Sequence, residues 1–141
     1  MLTVDCSAPQ ALASFWCAAL GYVPAPPPVG FATWEAWLRT HEVPEHEWDD
    51  GAVISDPAGV APGLTFLKVP EVKVGKNRMH LDLQVGGGRH RPVDERWPRV
   101  MAESERLMSL GARLVLEVAR DDGRPDHLVL ADPEGNEFCI V

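Results

Sequence analysis

An internal repeat constrains the fold of this 141-residue chain more than any other feature. Each half begins with a short alternating segment, "LTVDC" and then "RMHLDLQV", which is followed by an apolar stripe at helical spacing that ends in Leu-Gly. Each half then reaches an Asp-Pro-x-Gly tetrapeptide, at 56–59 and at 132–135, and this composition predicts a hairpin turn. The sequence therefore predicts a unit of strand, helix and three strands that is present twice.

The beginnings of the two main helices are predicted from capping signals. In "SAPQALASFWCAALGY", Ser7 is the predicted N-cap, and Gln10, three residues later, completes a capping box. In "VDERWPRVMAESERLMSLGA", Pro98 fits only in the first turn of a helix, so the second helix is predicted to begin between 94 and 97.

The first half also contains an insertion, "GFATWEAWLRTHEVPEHEWDDG", which has no counterpart in the second half. Its tryptophans are spaced for a short amphipathic helix, and Thr33 is the predicted N-cap. Trp34, Trp37 and Trp48 fit two roles, a lid over an apolar or aromatic ligand or a small satellite core of the insertion itself.

Two βαβββ units in this order resemble the vicinal oxygen chelate superfamily, the glyoxalase and bleomycin-resistance-like proteins. "SAPQALASFWCAALGY", "FLKVPEVKVGKNRMHLDLQV" and "LADPEGNEFCIV" are most similar to its glyoxalase-like group. The resemblance implies an α+β fold in which two βαβββ repeats form a curved mixed sheet around a pocket, with helices outside and a helical insertion in the first repeat. It implies one domain over 1–141, with repeat one at about 1–70, the insertion at about 31–50 and repeat two at about 77–141.

Alternation along the strands assigns polar side chains to the concave face that this fold implies. His80, Asp82 and Gln84 alternate with apolar residues in "NRMHLDLQV", as Asp5 does in "LTVDC". In "EFCIV" the parity places Glu137 and Cys139 on the same face. The predicted pocket residues are therefore Asp5, His80, Asp82, Gln84, Glu137 and Cys139, together with the three tryptophans of the insertion.

The resemblance also implies where a metal would bind. His80 falls on a ligand position, but Cys139 stands where the family usually has its ligating glutamate, and Thr3 stands opposite His80 in the repeat. A catalytic divalent ion needs about three convergent donors. We therefore expect no metal and no other cofactor. A divalent metal remains the alternative. His80 and Glu137 would then be its ligands, and Asp82, Asp5 or water would fill the remaining positions.

Two residues are assigned catalytic roles, His80 and Glu137. A carboxylate partly buried beside apolar walls has a raised pKa, so Glu137 is the predicted general base. The competing interpretation for Glu137 is a salt bridge to Lys76 or Arg78. His80 either contacts the substrate or simply pairs with Asp82 or another acid.

Composition narrows the range of partners. The formal charge of −8 repels nucleic acid and anionic membrane surfaces, and the arginines of "GGGRHRPVDERWPR" are interspersed with Asp94 and Glu95. No apolar run approaches the roughly 20 residues that span a bilayer. Cys6, Cys17 and Cys139 are odd in number and widely spaced, which indicates reduced thiols. We expect a cytoplasmic protein that binds a small-molecule ligand, neither nucleic acid nor membrane, and that forms a homodimer, as similar proteins do.

Three functional hypotheses follow. The first is a metal-free glyoxalase-like protein that binds a small molecule in a concave pocket, either to sequester it or to act on it as a substrate. The second is a metal-dependent lyase, isomerase or dioxygenase of the same superfamily. The third, from another class, is an interaction module that presents the tryptophan-bearing insertion to a partner.

Overall fold

A computed structural model describes residues 1–141, and the chain folds as two compact units, Met1–Val72 and Lys73–Val141. No helix in either unit has the length and apolar character needed to cross a membrane.

The first unit contains a four-stranded mixed sheet covered by one long helix. Its elements are β1 (Leu2–Cys6), α1 (Pro9–Leu20), β2 (Val23–Pro24), α2 (Trp34–Thr40), a 3₁₀ turn (Glu45–Glu47), β3 (Gly51–Ser55) and β4 (Leu64–Lys68). The strand order is β1-β4-β3-β2, with β1 parallel to β4 and the other pairs antiparallel. Leu12 and Trp16 of α1 are buried, as are Ile54 and Phe66 of the sheet, so the apolar stripe of α1 forms the core with one face of the sheet.

The second unit repeats this arrangement. Its elements are β5 (Asp82–Leu83), α3 (Val93–Ser109), β6 (Arg113–Ala119), β7 (Pro125–Ala131) and β8 (Glu137–Ile140). The strand order β5-β8-β7-β6 matches that of the first unit position by position, and again only the first pair is parallel. The predicted fold class, α+β with a duplicated βαβββ unit, is confirmed, and the strands form two four-stranded mixed sheets.

Both Asp-Pro-x-Gly turns are confirmed as hairpin connections. The Asp56 carboxylate accepts hydrogen bonds from the backbone N–H groups of the turn, and these bonds lower its pKa. Gly59 and Gly135 take φ values of 68° and 85°, which glycine adopts without strain. The turns connect β3 to β4 and β7 to β8, each an antiparallel pair.

The predicted capping box of α1 is wrong. The helix begins at Pro9 with Ala8 as its N-cap, because proline at the first helical position has its φ already set and has no N–H group to satisfy. Gln10 instead donates from Nε2 to the backbone carbonyl of Gly51, at 2.9 Å. This side chain therefore joins the helix to β3 and does not cap the helix.

The predicted placement of Pro98 in the first turn of α3 is wrong. The helix begins at Val93, next to the predicted start around 94–97, and Pro98 lies inside it, beyond the first turn. Proline at this position removes one bond, the one that its N–H would donate to the carbonyl of Asp94. Asp94 is exposed, so water can satisfy that carbonyl, and the helix continues to Ser109.

The alternating segment at 77–85 forms much less strand than its pattern predicts. Only Asp82–Leu83 is a strand, and Met79, which the alternation assigns to the buried side, is 68% exposed. β5 is an edge strand whose only neighbour is β8, and it pairs with only two of the four residues of β8. Two bonds fix the segment: Cys139 N–H donates to the Leu81 carbonyl and Val141 N–H to the Leu83 carbonyl.

Candidate functional site

The first unit contains a cavity of about 880 Å³, a size typical of small-molecule sites. Its wall is formed by one side of α1, by β2 and β3, and by the insertion. Trp34, Trp37 and Trp48, the three tryptophans assigned to ligand binding, all line it. Cys17 and Tyr22 contribute from α1 and the segment that follows it.

Hydrogen bonds and ring contacts hold the aromatic wall of this cavity in place. Thr33 Oγ1 accepts from the Ala36 N–H at 3.1 Å, so the predicted N-cap of α2 is confirmed. Trp34 donates from Nε1 to the Ala25 carbonyl at 2.9 Å. Trp34 and Trp37 meet edge to face with ring centroids 5.8 Å apart, a favoured geometry for aromatic pairs.

The charged groups in the cavity wall are acidic. Glu35, Glu47 and Asp49 line it, and the lining includes no lysine, arginine or histidine. The pKa of Glu35 is lowered by hydrogen bonds from its own backbone N–H and from the Thr33 side chain, so this carboxylate is ionised at neutral pH. The Arg39 guanidinium lies 4.8 Å from the centre of the Trp48 ring, but Arg39 is not one of the residues that line the cavity. The cavity therefore combines aromatic rings with negative charge.

The second unit brings together His80, Asp82 and Cys139. The parallel pairing of β5 with β8 sets Asp82 opposite Cys139, and His80 comes two residues before Asp82. His80 Nδ1 lies 3.1 Å from Asp82 Oδ1 and 3.6 Å from Cys139 Sγ. One donor atom from each of the three residues can be chosen so that all lie within 4.8 Å of one another.

Protonation within this cluster follows from its geometry. The pKa of Cys139 is raised to about 11, mainly because the thiol is buried and also because Asp82 is negative and accepts its hydrogen bond. Cys139 is therefore a thiol at neutral pH and not a nucleophilic thiolate. Since the Asp82 carboxylate only accepts, we assign the His80 proton to Nδ1, which leaves Nε2 as a lone-pair site.

The structure corrects the predicted protonation of Glu137. Lys76 Nζ donates to Glu137 Oε2 at 2.7 Å. This hydrogen bond, the largest cause, lowers the pKa of Glu137, so the raised pKa expected of a general base is wrong. The competing interpretation, a salt bridge to Lys76, is the observed arrangement. Glu137 is also outside the three-residue donor cluster.

The remaining predicted residues lie apart from both groups. Asp5 is exposed on β1, where it pairs in register with Leu67 of β4, and Gln84 is exposed just after β5. Neither lines the cavity of the first unit. The sequence-predicted residues that the structure does bring together thus form two sets, the tryptophans in the first unit and the His80 cluster in the second.

Sequence reasoning missed a charged cluster at the beginning of β7. Asp126 lies among three arginines and is followed by His127, whose Nδ1 is 3.0 Å from Asp126 Oδ2. Arg89 and Arg96 come from the loop before α3 and from α3, and only Arg120 is near Asp126 in sequence, so no local motif indicates the whole cluster. The available signal in the sequence was the glycine-rich segment "GGGRHR", in which Arg89 comes shortly before the start of α3.

Comparison with known proteins gives the family. The model of the glyoxalase-like domain family matches residues 1–141. No curated protein sequence matches the chain.

Several solved structures share the fold at low sequence identity. A glyoxalase/bleomycin resistance protein/dioxygenase family enzyme from Burkholderia phytofirmans PsJN superposes with a TM-score of 0.59 at 13% identity, covering 98% of this chain and 92% of that one. A genomically encoded fosfomycin resistance protein from Listeria monocytogenes gives 0.60 at 13% identity, covering 99% and 88%. A glyoxalase-related enzyme from Fulvimarina pelagi gives 0.52 at 18% identity, covering 99% and 85%.

The duplicated βαβββ units are thus the fold that these solved structures share. The family model, which matches the whole chain, shows that the chain belongs to the glyoxalase-like domain family.

Proposed function

We propose that this protein binds a small organic molecule in the cavity of the first unit and does so without a catalytic metal. The observation that supports this most is the cavity itself, about 880 Å³ with three tryptophans in its wall. Natural ligand sites combine such apolar and aromatic surfaces with a few fixed polar groups.

The wall also defines the chemistry of the ligand. Tryptophan faces and carboxylates both attract positive charge, and Arg39 already occupies one position over the Trp48 ring. Glu35, Glu47 and Asp49 add negative charge, which is offset in part, from outside the lining, by Arg39 near Glu35 and by His46, whose Nε2 lies 3.5 Å from Glu47 Oε1. The proposed ligand is therefore an apolar or aromatic molecule that carries a cationic group, such as a protonated amine.

Truncating Trp37 should weaken ligand binding. A panel of amphipathic amines and neutral aromatic compounds is screened by melting temperature, since a ligand that binds only the native state raises it. For the best ligand, Trp37→Ala should increase the dissociation constant about tenfold or more, because an aromatic contact and its buried area are lost. Three of the five tryptophans line the cavity, so quenching of intrinsic fluorescence gives a second readout.

Trp97→Ala is the matched control, because Trp97 is also half-buried but belongs to α3 of the second unit. It should leave the affinity unchanged. Equal loss of affinity in the two variants, or a panel in which no compound raises the melting temperature, would contradict the proposal. The second of these outcomes is the one expected of an interaction module.

A second candidate function is metal-dependent chemistry at His80, Asp82 and Cys139, supported by the convergence of their donor atoms within 4.8 Å. A nitrogen, an oxygen and a sulfur donor suit Zn²⁺ better than Mg²⁺ or Ca²⁺. The Listeria relative has been crystallised with Mn(II) and 1S,2S-dihydroxypropylphosphonic acid, which shows metal binding for that protein. In this chain, the ligands would be His80, Asp82 and Cys139 and not the predicted pair His80 and Glu137.

Metal analysis of the purified protein and zinc titration distinguish the two candidate functions. If the cluster is a metal site, protein purified without chelator holds about one equivalent of metal, and Cys139→Ser or His80→Ala loses it. Affinity should then rise with pH, since Cys139, with a pKa of about 11, must release its proton to bind the ion. Protein that holds no stoichiometric metal supports the metal-free proposal.

A further inference from the structure

The charged cluster at the beginning of β7 surrounds a single carboxylate with cationic groups. Arg89 Nη2 lies 3.0 Å from Asp126 Oδ2, and Arg120 Nε donates to Asp126 Oδ1 at 3.2 Å. Arg96 Nη2 is 3.9 Å from the same Oδ1, and His127 contacts Oδ2. These contacts lower the pKa of Asp126, the hydrogen bond with His127 being the largest cause, so the carboxylate carries its full charge at neutral pH.

The cluster has an excess of positive charge. Asp126 offsets one of three guanidinium groups, and Asp122, whose charge also acts on Arg120, is bound mainly by Arg124 through Nε and Nη2 at 2.9 and 2.6 Å. This excess is local, since the chain as a whole has a formal charge of −8. A concentrated positive patch on an acidic protein attracts small anions selectively.

Arg89 and Arg120, at the edge of the cluster, have hydrogen-bond donors that Asp126 does not use. Arg89 uses Nη2 for Asp126 and Arg120 uses Nε, whereas a guanidinium carries five N–H donors in all. Their side chains are 59% and 34% exposed, so the remaining donors reach solvent. Two guanidinium groups held on one carboxylate can together bind one oxyanion.

Arg96 fixes the base of the cluster. Its side chain is fully buried, and Nη1 and Nη2 donate to the backbone carbonyls of Asp126 and Pro125. The segment that carries Asp126 is therefore held against α3, and the buried charge of Arg96 adds to the positive field. A site built on such a fixed carboxylate needs little reorganisation to bind a ligand.

The cluster lies next to the His80, Asp82 and Cys139 group. β7 and β8 pair with Val129 opposite Cys139, and His127 is two residues from Val129, so it points to the same face of the sheet. Arg89 is close enough to Cys139 for its charge to oppose the rise in the pKa of the thiol. An anion bound by Arg89 would therefore reach the face that carries these polar side chains.

We propose that Arg89 and Arg120 form a binding site for a small oxyanion, a phosphate or carboxylate group, assembled around Asp126 in the second unit. The site is independent of the cavity in the first unit, and either could exist without the other. It takes the anionic group of a small ligand or metabolite.

Phosphate binding to the intact chain tests the proposal. Isothermal titration is run with inorganic phosphate and with acetate, against chloride at the same ionic strength. Arg89→Gln and Arg120→Gln should each weaken the binding of the preferred anion about tenfold, because each removes a charge-assisted bond. Arg106→Gln, which breaks an exposed pair with Glu103 on α3, is the matched control and should leave binding unchanged.

The two anions distinguish the sources of the bound group, since a phosphate site should prefer phosphate and a carboxylate site should prefer acetate.

Asp126→Asn gives a readout that a purely structural cluster would not show. The anion uses the donors that Asp126 leaves free, but the negative charge of Asp126 offsets part of the positive field of the two arginines. The substitution should therefore tighten anion binding several-fold even if it lowers the melting temperature. Equal effects of all anions including chloride, affinity unchanged in both arginine variants, or weaker binding in Asp126→Asn would overturn the proposal.

Discussion

Arg96→Met should lower the free energy of unfolding by about 2–5 kcal/mol, because the change leaves buried polar groups without partners. Methionine keeps the unbranched apolar stem of Arg96 but ends short of the guanidinium position, so the packing of Cβ, Cγ and Cδ is retained. What disappears is the pair of bonds to the carbonyls of Pro125 and Asp126, and with it the charge facing the Asp126 carboxylate. The substitution should therefore loosen the start of β7 from α3.

Urea unfolding followed by circular dichroism measures this loss. Arg106→Met is the control, since Arg106 lies on the same helix and forms an exposed pair with Glu103, and such pairs contribute about 0–1 kcal/mol. A loss in Arg96→Met no larger than that of the control would show that the two carbonyls find water as a substitute. Hydrogen exchange at the amides of β7 locates the effect within the second unit.

The fold could be predicted because its signals are local and occur twice. Leu-Gly helix ends, Asp-Pro-x-Gly turns and apolar stripes each depend on a few neighbouring residues, and the strand order repeats between the units. The end points of elements depend on tertiary contacts instead. β5 pairs over only two residues although β8 has four, and the start of α1 follows Pro9 although Ser7 and Gln10 fit a capping box.

The candidate sites could be predicted only in part, for the same reason. Side-chain alternation identifies His80 and Asp82, which are two residues apart. The protonation of Glu137 depends on Lys76, 61 residues away, and the sequence left that pair as one of two interpretations. The cluster around Asp126 joins arginines from the loop before α3, from α3 itself and from the end of β6, so no spacing along the chain reveals it.

Gly86→Ala should destabilise the protein by about 3 kcal/mol, although alanine suits the backbone there, since overpacking a filled core has such costs. A Cβ at Gly86 would overlap Cγ of Arg96 and lie 3.0 Å from its Cδ and 3.3 Å from the Val141 carbonyl oxygen. The φ of Gly86 is not positive, so the cost is steric and not conformational. Arg96 cannot move aside, because it is fully buried and its guanidinium is bound to two carbonyls.

A double-mutant cycle with Arg96→Ala isolates this contact. Once Cγ and Cδ of Arg96 are removed, Gly86→Ala should cost under about 1 kcal/mol, which gives a coupling free energy of about 2 kcal/mol between the two positions. Urea melts of all four proteins, run with the same stabilising osmolyte so that the weakest still folds, provide the values. Gly51→Ala is the control, since a Cβ there meets nothing nearer than the Phe66 carbonyl oxygen at 4.0 Å. If the two costs simply add, the overlap with Arg96 is not the reason why Gly86→Ala is unfavourable. The glycine at position 86 would then be required by a contact other than Arg96.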